Sequence, residues 1–286
     1  MLTIVCMKWG QTFLAEHVNG LYRGVTRHLK EPFRFVCLTD DAAGLSAGID
    51  ARPIPDLGLP PERWTSGCWP KLSVFMPGLF DDASLVMYID LDVVILGSLS
   101  IFVDRARTIP GLHILKEWNP MLWSILPAAL RPDRGAQGSL FAWVPNQQHI
   151  IFNRFMADQE AAYAVGHTDQ GFIGLAANTK HYWPSDWTVS FKRSCVWYYP
   201  LNLVFRRIRE PKHARIVVFH GSPRPWDLLG DRTTRWGTSR KFGFGPVPWV
   251  QRYWAADAPT ETRSFITKAN DGSASAGYRR LKRSRS

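Results

Sequence analysis

Along the chain, apolar and β-branched runs alternate with segments whose apolar residues recur every three or four positions. The first run, Leu2-Thr3-Ile4-Val5-Cys6, predicts a strand. After a turn at Gly10, apolar residues at Phe13, Leu14, Val18, Leu21, Tyr22, Val25 and Leu29 keep helical spacing, and Pro32 blocks continuation. Phe33-Arg34-Phe35-Val36-Cys37-Leu38 then alternates and ends in the acidic turn Thr39-Asp40-Asp41. Strand, helix, strand predicts an α/β sheet with parallel neighbours. A Pro/Gly-rich loop spans 53–61, a short helix is expected over Lys71 to Phe75, and the continuous apolar run Leu85-Val86-Met87-Tyr88-Ile89 fits a central strand buried on both faces. Further strands are expected at 112–115, 139–144 and 215–219, and further helices at 121–130, 147–164 and 169–178. No internal repeat interrupts this alternation.

Composition narrows the class. The 286 residues are 45% hydrophobic and 21% charged, which excludes a wholly disordered chain and leaves ample material for a large core. Cys6, Cys37, Cys68 and Cys195 are dispersed and form no C-x-x-C pair, so they read as reduced and mostly buried thiols. No basic leader with an apolar stretch opens the sequence, and nowhere do about 18 apolar residues run together. A cytoplasmic placement without a membrane span is the expectation.

Charge is unevenly spread. Residues 1–191 hold 15 Lys and Arg against 18 Asp and Glu, whereas residues 192–241 hold 12 against 3 and residues 263–286 hold 7 against 1. A late basic segment serves nucleic acid, an anionic membrane or an anionic small substrate such as a diphosphate, and charge does not separate these. From about residue 257 the chain turns to Ala, Ser, Thr, Gly and basic residues, predicting a mobile tail over 257–286.

The chemistry centres on Tyr88-Ile89-Asp90-Leu91-Asp92. In an extended chain, residues two apart project to the same side, so both carboxylates can converge on one cation. They follow the best strand, at the end where open α/β sheets bind ligands. An uncompensated carboxylate pair there would repel, and a divalent metal makes it favourable. The alternative is a pair of turn acids or salt-bridge partners. A second strand, Arg215-Ile216-Val217-Val218-Phe219, ends in His220-Gly221-Ser222-Pro223-Arg224. Imidazole with carboxylates suits Mn²⁺, Gly221 permits close backbone approach, and Arg224 is suited to gripping a phosphate.

Between these lie Trp69-Pro70-Lys71-Leu72, Gln137-Gly138-Ser139 and Thr168-Asp169-Gln170-Gly171. This order, K-L, then D-x-D, a small-polar strand, D-Q-G and a late H-G with a basic residue, resembles glycosyltransferase family 8 over about residues 2 to 226. The resemblance implies a GT-A fold, a Rossmann-like mixed sheet with helices on both faces, within a domain covering 1–256. It implies a nucleotide-diphosphate-sugar donor, with uridine the first candidate base. It implies Mn²⁺, or Mg²⁺, held by Asp90, Asp92 and His220, and transfer with retention of anomeric configuration. Lys71 stands in the place of a donor-contacting lysine, and Asp169 with Gln170 matches the pair near the anomeric carbon. Arg224 stands where a lysine usually meets the diphosphate. Gln137 replaces the first residue of an Asn-Ser-Gly-like triplet and offers an amide to a sugar hydroxyl. Lys8 lies in the loop expected to meet the base. The acceptor, whether glycan, lipid-linked glycan or protein, is not encoded in these motifs.

Two rival readings exist. Ile89-Asp90-Leu91-Asp92-Val93-Val94 also resembles the nucleophile strand of Mg²⁺-dependent haloacid-dehalogenase-type phosphohydrolases, although that strand normally opens its chain and needs a late acidic pair missing from Gly230-Asp231-Arg232-Thr233-Thr234-Arg235. A nucleic-acid-binding or membrane-anchoring protein would explain the tail Tyr278 to Arg285 but not the acidic strand ends. Peripheral contact of that tail with an anionic membrane is expected beside the enzyme, and nucleic acid is not.

Overall fold

In the computed structural model the described residues are 1–120, 123, 126–197, 201–204, 208, 210–237 and 243–255. The basic tail expected at 257–286 and positions 121, 122, 124 and 125 of the helix expected at 121–130 lie outside them. The chain divides into two compact units, one of Met1–Leu91 with Ser98–Ser185, the other of Asp92–Gly97 with the chain from Asp186 on.

The first unit is built on a seven-stranded sheet flanked by helices. Its strands are β1 (Leu2–Lys8), β2 (Phe33–Thr39), β3 (Ile49–Arg52), β4 (Leu85–Ile89), β6 (Leu112–Lys116), β7 (Ala136–Trp143) and β8 (Lys180–Tyr182), in the order β3-β2-β1-β4-β7-β6-β8. Neighbours are parallel except β7, which runs antiparallel to both β4 and β6. From β1 the chain builds outward through β2 and β3, then returns to add β4 on the other side. The strand order therefore reverses between β1 and β4, the position where such sheets bind ligands. Lys8 ends β1 there and Asp90 follows β4.

Burial explains why these runs became strands. Every residue of β1, β4 and β7 is buried, as continuous apolar runs in a covered sheet require. The helix Ala15–His28 turns Val18, Leu21 and Val25 inward, on the predicted stripe. The stretch expected as one helix over 147–164 is two, Pro145–Ala157 and Gln159–Gly166. Asp158 divides them, because its carboxylate accepts the Ala161 N–H at 2.9 Å and caps the second helix from an extended backbone. The short helix at 71–75 is a 3₁₀ helix over Trp69–Phe75, all seven residues buried. Trp69 anchors it, stacked on Phe155 at 5.7 Å and edge-on to Tyr163 at 4.7 Å.

The second unit holds a three-stranded sheet, β5 (Val93–Ile95), β9 (Thr188–Ser190) and β10 (Ile216–Val218), with β10 central. β5 is antiparallel to β10, and β9 is parallel to it. A π-helical turn, Phe191–Cys195, follows β9. Phe191 stacks on Phe219 at 4.4 Å and meets Trp236 edge-on at 5.7 Å, forming a core within this unit. All four cysteines are free thiols, with Cys6 and Cys37 buried, Cys195 partly so and Cys68 exposed. Among the described residues no helix is long and apolar enough to cross a membrane.

Candidate active site

Three chain segments of the first unit meet at the C-terminal end of β4. The 3₁₀ helix carries Lys71 inward from a backbone fixed by the buried Trp69. The helix Asp169–Ala176 begins with Asp169, capped by Thr168, whose hydroxyl accepts the Gly171 N–H at 3.3 Å. Gly171 has no alternative there, since an added Cβ would stand 2.2 Å from the Gly166 carbonyl oxygen. Lys71 Nζ lies 3.0 Å from Asp90 Oδ1 and 3.3 Å from Asp169 Oδ2, and donates to the Gly138 carbonyl at 3.2 Å.

This ion triad is electrically uneven. Burial opposes the Lys71 charge, yet Asp169 and Asp90 together hold its ammonium well above the ordinary lysine range. Burial pushes the Asp169 carboxyl up, with Lys71 opposing and Asp90 adding to the rise. Tyr88, two residues before Asp90, donates its hydroxyl to Asp90 Oδ1 at 2.9 Å. Its ring stacks on Phe141 at 4.8 Å, and burial together with the Asp90 charge holds its phenol well above the usual range. The strand period of two made this pairing legible, but the sequence reading used Tyr88 only as an apolar strand residue.

A bulge in β7 shapes the opposite wall. Ile114 pairs with Phe141 and Leu115 with Gln137, so Gly138, Ser139 and Leu140 have no partners on β6. This releases the Gly138 carbonyl to Lys71 and its N–H to Gln170 Oε1 at 3.1 Å, while on the β4 side the Ser139 carbonyl accepts the Asp90 N–H at 2.9 Å. Gln170 is thereby oriented. A Cβ on Gly138 would stand 3.1 Å from the Gln170 Cβ, which fits glycine there. Gln137 spends its amide within its own strand: Oε1 accepts the Ser139 N–H at 2.9 Å and Nε2 donates to Ser139 Oγ at 2.7 Å. Lys8, at the end of β1, donates to the Asp41 carbonyl at 3.0 Å.

Asp90 and Asp92 do not sit on one extended strand. Asp90 follows β4, and Leu91-Asp92 form the turn into β5, where the chain passes from one sheet to the other. In the second unit, the β5–β10 register runs on to set Asp92 opposite Phe219, one residue before His220, and the Phe219 N–H donates to the Asp92 carbonyl at 3.0 Å. His220 Nε2 lies 2.6 Å from Ser190 Oγ, which also accepts the Arg193 N–H. Ser190 thus holds the imidazole at Nε2. Gly221 is exposed with φ +71°, a conformation suited to glycine. The Arg224 guanidinium lies 5.6 Å from the centre of the Trp226 ring, and the Arg224 backbone N–H donates to Asp227 Oδ2 at 2.8 Å. Burial raises the Asp227 carboxyl, while Arg224 counteracts.

Two carboxylates and an imidazole have the donor chemistry of a Mn²⁺ or Mg²⁺ site, and Asp90 presents a carboxylate already oriented by Tyr88. Among the described residues no group of three or more His, Cys, Asp or Glu side chains is assembled that could hold a metal ion.

No protein-family model and no curated protein matches the chain. Solved structures do. Over 92% of this chain and 99% of the other, it is similar to the galactosyltransferase LgtC, solved in complex with donor and acceptor sugar analogs, with TM-score 0.55 and 14% identity. It is similar to the bifunctional glycosyltransferase WbbM, TM-score 0.58 and 14% identity over 94% of this chain and 51% of that one. It is also similar to the glycosyltransferase GlyE of Streptococcus pneumoniae TIGR4, TM-score 0.55 and 12% identity over 94% and 65%. The fold is that of the GT-A glycosyltransferases.

Proposed function

We propose that the chain is a glycosyltransferase that moves a sugar from a nucleoside-diphosphate donor, UDP-linked as the first candidate, to an acceptor hydroxyl with retention of configuration. One observation carries the reading. A buried lysine bridges two carboxylates, Asp90 and Asp169, at the C-terminal end of β4 and beside the reversal of strand order, in a GT-A fold. The phosphohydrolase reading of Asp90 finds no support in that fold.

Cleaving the bond from anomeric carbon to phosphate oxygen builds negative charge on the departing diphosphate and positive charge on the sugar. By their donor chemistry, Asp90, Asp92 and His220 are the residues that would hold a divalent ion, Mn²⁺ or Mg²⁺, and such an ion would supply Lewis-acid neutralisation of the leaving group. Arg224 adds a fixed positive charge for the diphosphate, and Gly221 gives it access to the backbone. Asp169 is assigned to the sugar, where its carboxylate offsets positive charge at the anomeric carbon. Both a carboxylate nucleophile and front-face attack use such a group. Lys71 opposes the rise that burial imposes on the Asp169 carboxyl and fixes its position, and Gln170, oriented by the Gly138 N–H, lines the same wall.

The test is incubation with a panel of nucleotide-sugars and Mn²⁺, with free nucleoside diphosphate as the readout. Release from one donor, lost in Asp169→Asn, is the expected result. No release from any donor in the panel overturns the proposal.

A further inference from the structure

In the second unit, three successive residues lie alongside the strand end that carries His220. Ser190 contacts His220 through Oγ and Nε2, and Phe191 stacks flat on Phe219, 16° between planes. Lys192 reaches Gly221: a Cβ built there would stand 3.7 Å from its Nζ. The stacked Phe191 and the capping bond from the Arg193 N–H to Ser190 fix the backbone on either side of Lys192. The ammonium thus lies beside an exposed glycine, which has no side chain of its own to keep an anion from the backbone. Arg224 follows Gly221 by three residues, and both cations belong to the segment 192–241 that concentrates basic charge.

We propose that Lys192 binds the diphosphate of the donor, with its ammonium beside Gly221 acting together with Arg224. The assignment rests on the glycosyltransferase reading and adds a residue that no motif marked. A compact ammonium on a flexible stem suits a phosphate oxygen as a point charge, whereas Arg224 offers a planar fork. Two cations of different geometry at one loop favour two linked phosphates over a single one.

The experiment is calorimetric binding with Mn²⁺ present. The wild-type chain is ranked against UDP, GDP, ADP and CDP, and the tightest diphosphate is compared with its monophosphate and its nucleoside in Lys192→Gln and Lys192→Arg. Loss of one charge-assisted contact weakens the diphosphate by about tenfold in Lys192→Gln. Nucleoside affinity stays unchanged, and Lys192→Arg retains most of the diphosphate affinity. Unchanged diphosphate affinity in Lys192→Gln overturns the assignment while leaving the enzyme reading intact. Equal losses for nucleoside and diphosphate also overturn it, since they mark a structural effect. Failure of the wild-type chain to bind any diphosphate overturns both.

Discussion

Lys71 and Asp169 form a buried ion pair, Nζ to Oδ2 3.3 Å, in which the carboxylate is held above its ordinary range by burial despite its partner. The lysine is held well above its ordinary range by Asp169 and Asp90, so the pair stabilises the ammonium while burial works against the carboxylate. A carboxyl with a raised folded pKa binds its proton more tightly folded than unfolded. Stability is lost as pH rises from the unfolded value, about 3.9, through the folded one.

Asp169→Asn takes from Lys71 the leading counter-charge that raises its ammonium, so the stability lost above about pH 10.4 is smaller in this variant than in the wild-type chain. Urea denaturation across alkaline pH checks this, and an alkaline loss equal to that of the wild-type chain contradicts it. Sugar transfer is abolished in the same variant.

Lys71→Met leaves Asp90 and Asp169 facing each other without a cation. Removing one partner of a buried ion pair costs about 3–5 kcal/mol, read as a fall in the denaturation midpoint at pH 7. Lys71 shows the opposite linkage. Its folded pKa is raised, so its contribution is fully present below about pH 10.4 and lost as pH rises through the folded value. Lys71→Met therefore loses the alkaline stability drop that the wild-type chain displays.

Tyr88→Phe removes the hydroxyl that donates to Asp90 and keeps the ring on Phe141. The stability cost is about 1 kcal/mol, the net worth of one hydrogen bond. Donor turnover falls by roughly tenfold as Asp90 loses its orientation. Full turnover in this variant removes Tyr88 from the site.

Ser190→Ala releases the His220 ring from its 2.6 Å partner. Loss of a residue that orients a ligand weakens metal affinity by about 10–100-fold. Mn²⁺ titration followed by paramagnetic broadening measures this directly, and unchanged Mn²⁺ affinity contradicts the assignment of His220 as a ligand.

The central strands and the residues at their ends were legible because continuous apolar runs such as Leu85–Ile89 announce buried strands and acids beyond them stand out. The β7 bulge was not, since Gln137-Gly138-Ser139-Leu140 reads as ordinary strand and only pairing with Leu115 exposes the skipped residues. Nor were β5 and β9, three residues each and too short for any periodic signal. Their absence from the reading hid Ser190, whose contact with His220 spans 30 residues. The same gap made Asp90-Leu91-Asp92 look like strand when Leu91 and Asp92 form the turn into β5.

The most direct measurement is nucleoside diphosphate release from a turned-over nucleotide-sugar with Mn²⁺, comparing the wild-type chain with Asp92→Asn at matched thermal stability. The account predicts release by the former and loss of at least about a hundredfold in the latter, the scale of removing one electrostatic contact to the transition state. Near-normal release by Asp92→Asn would contradict it.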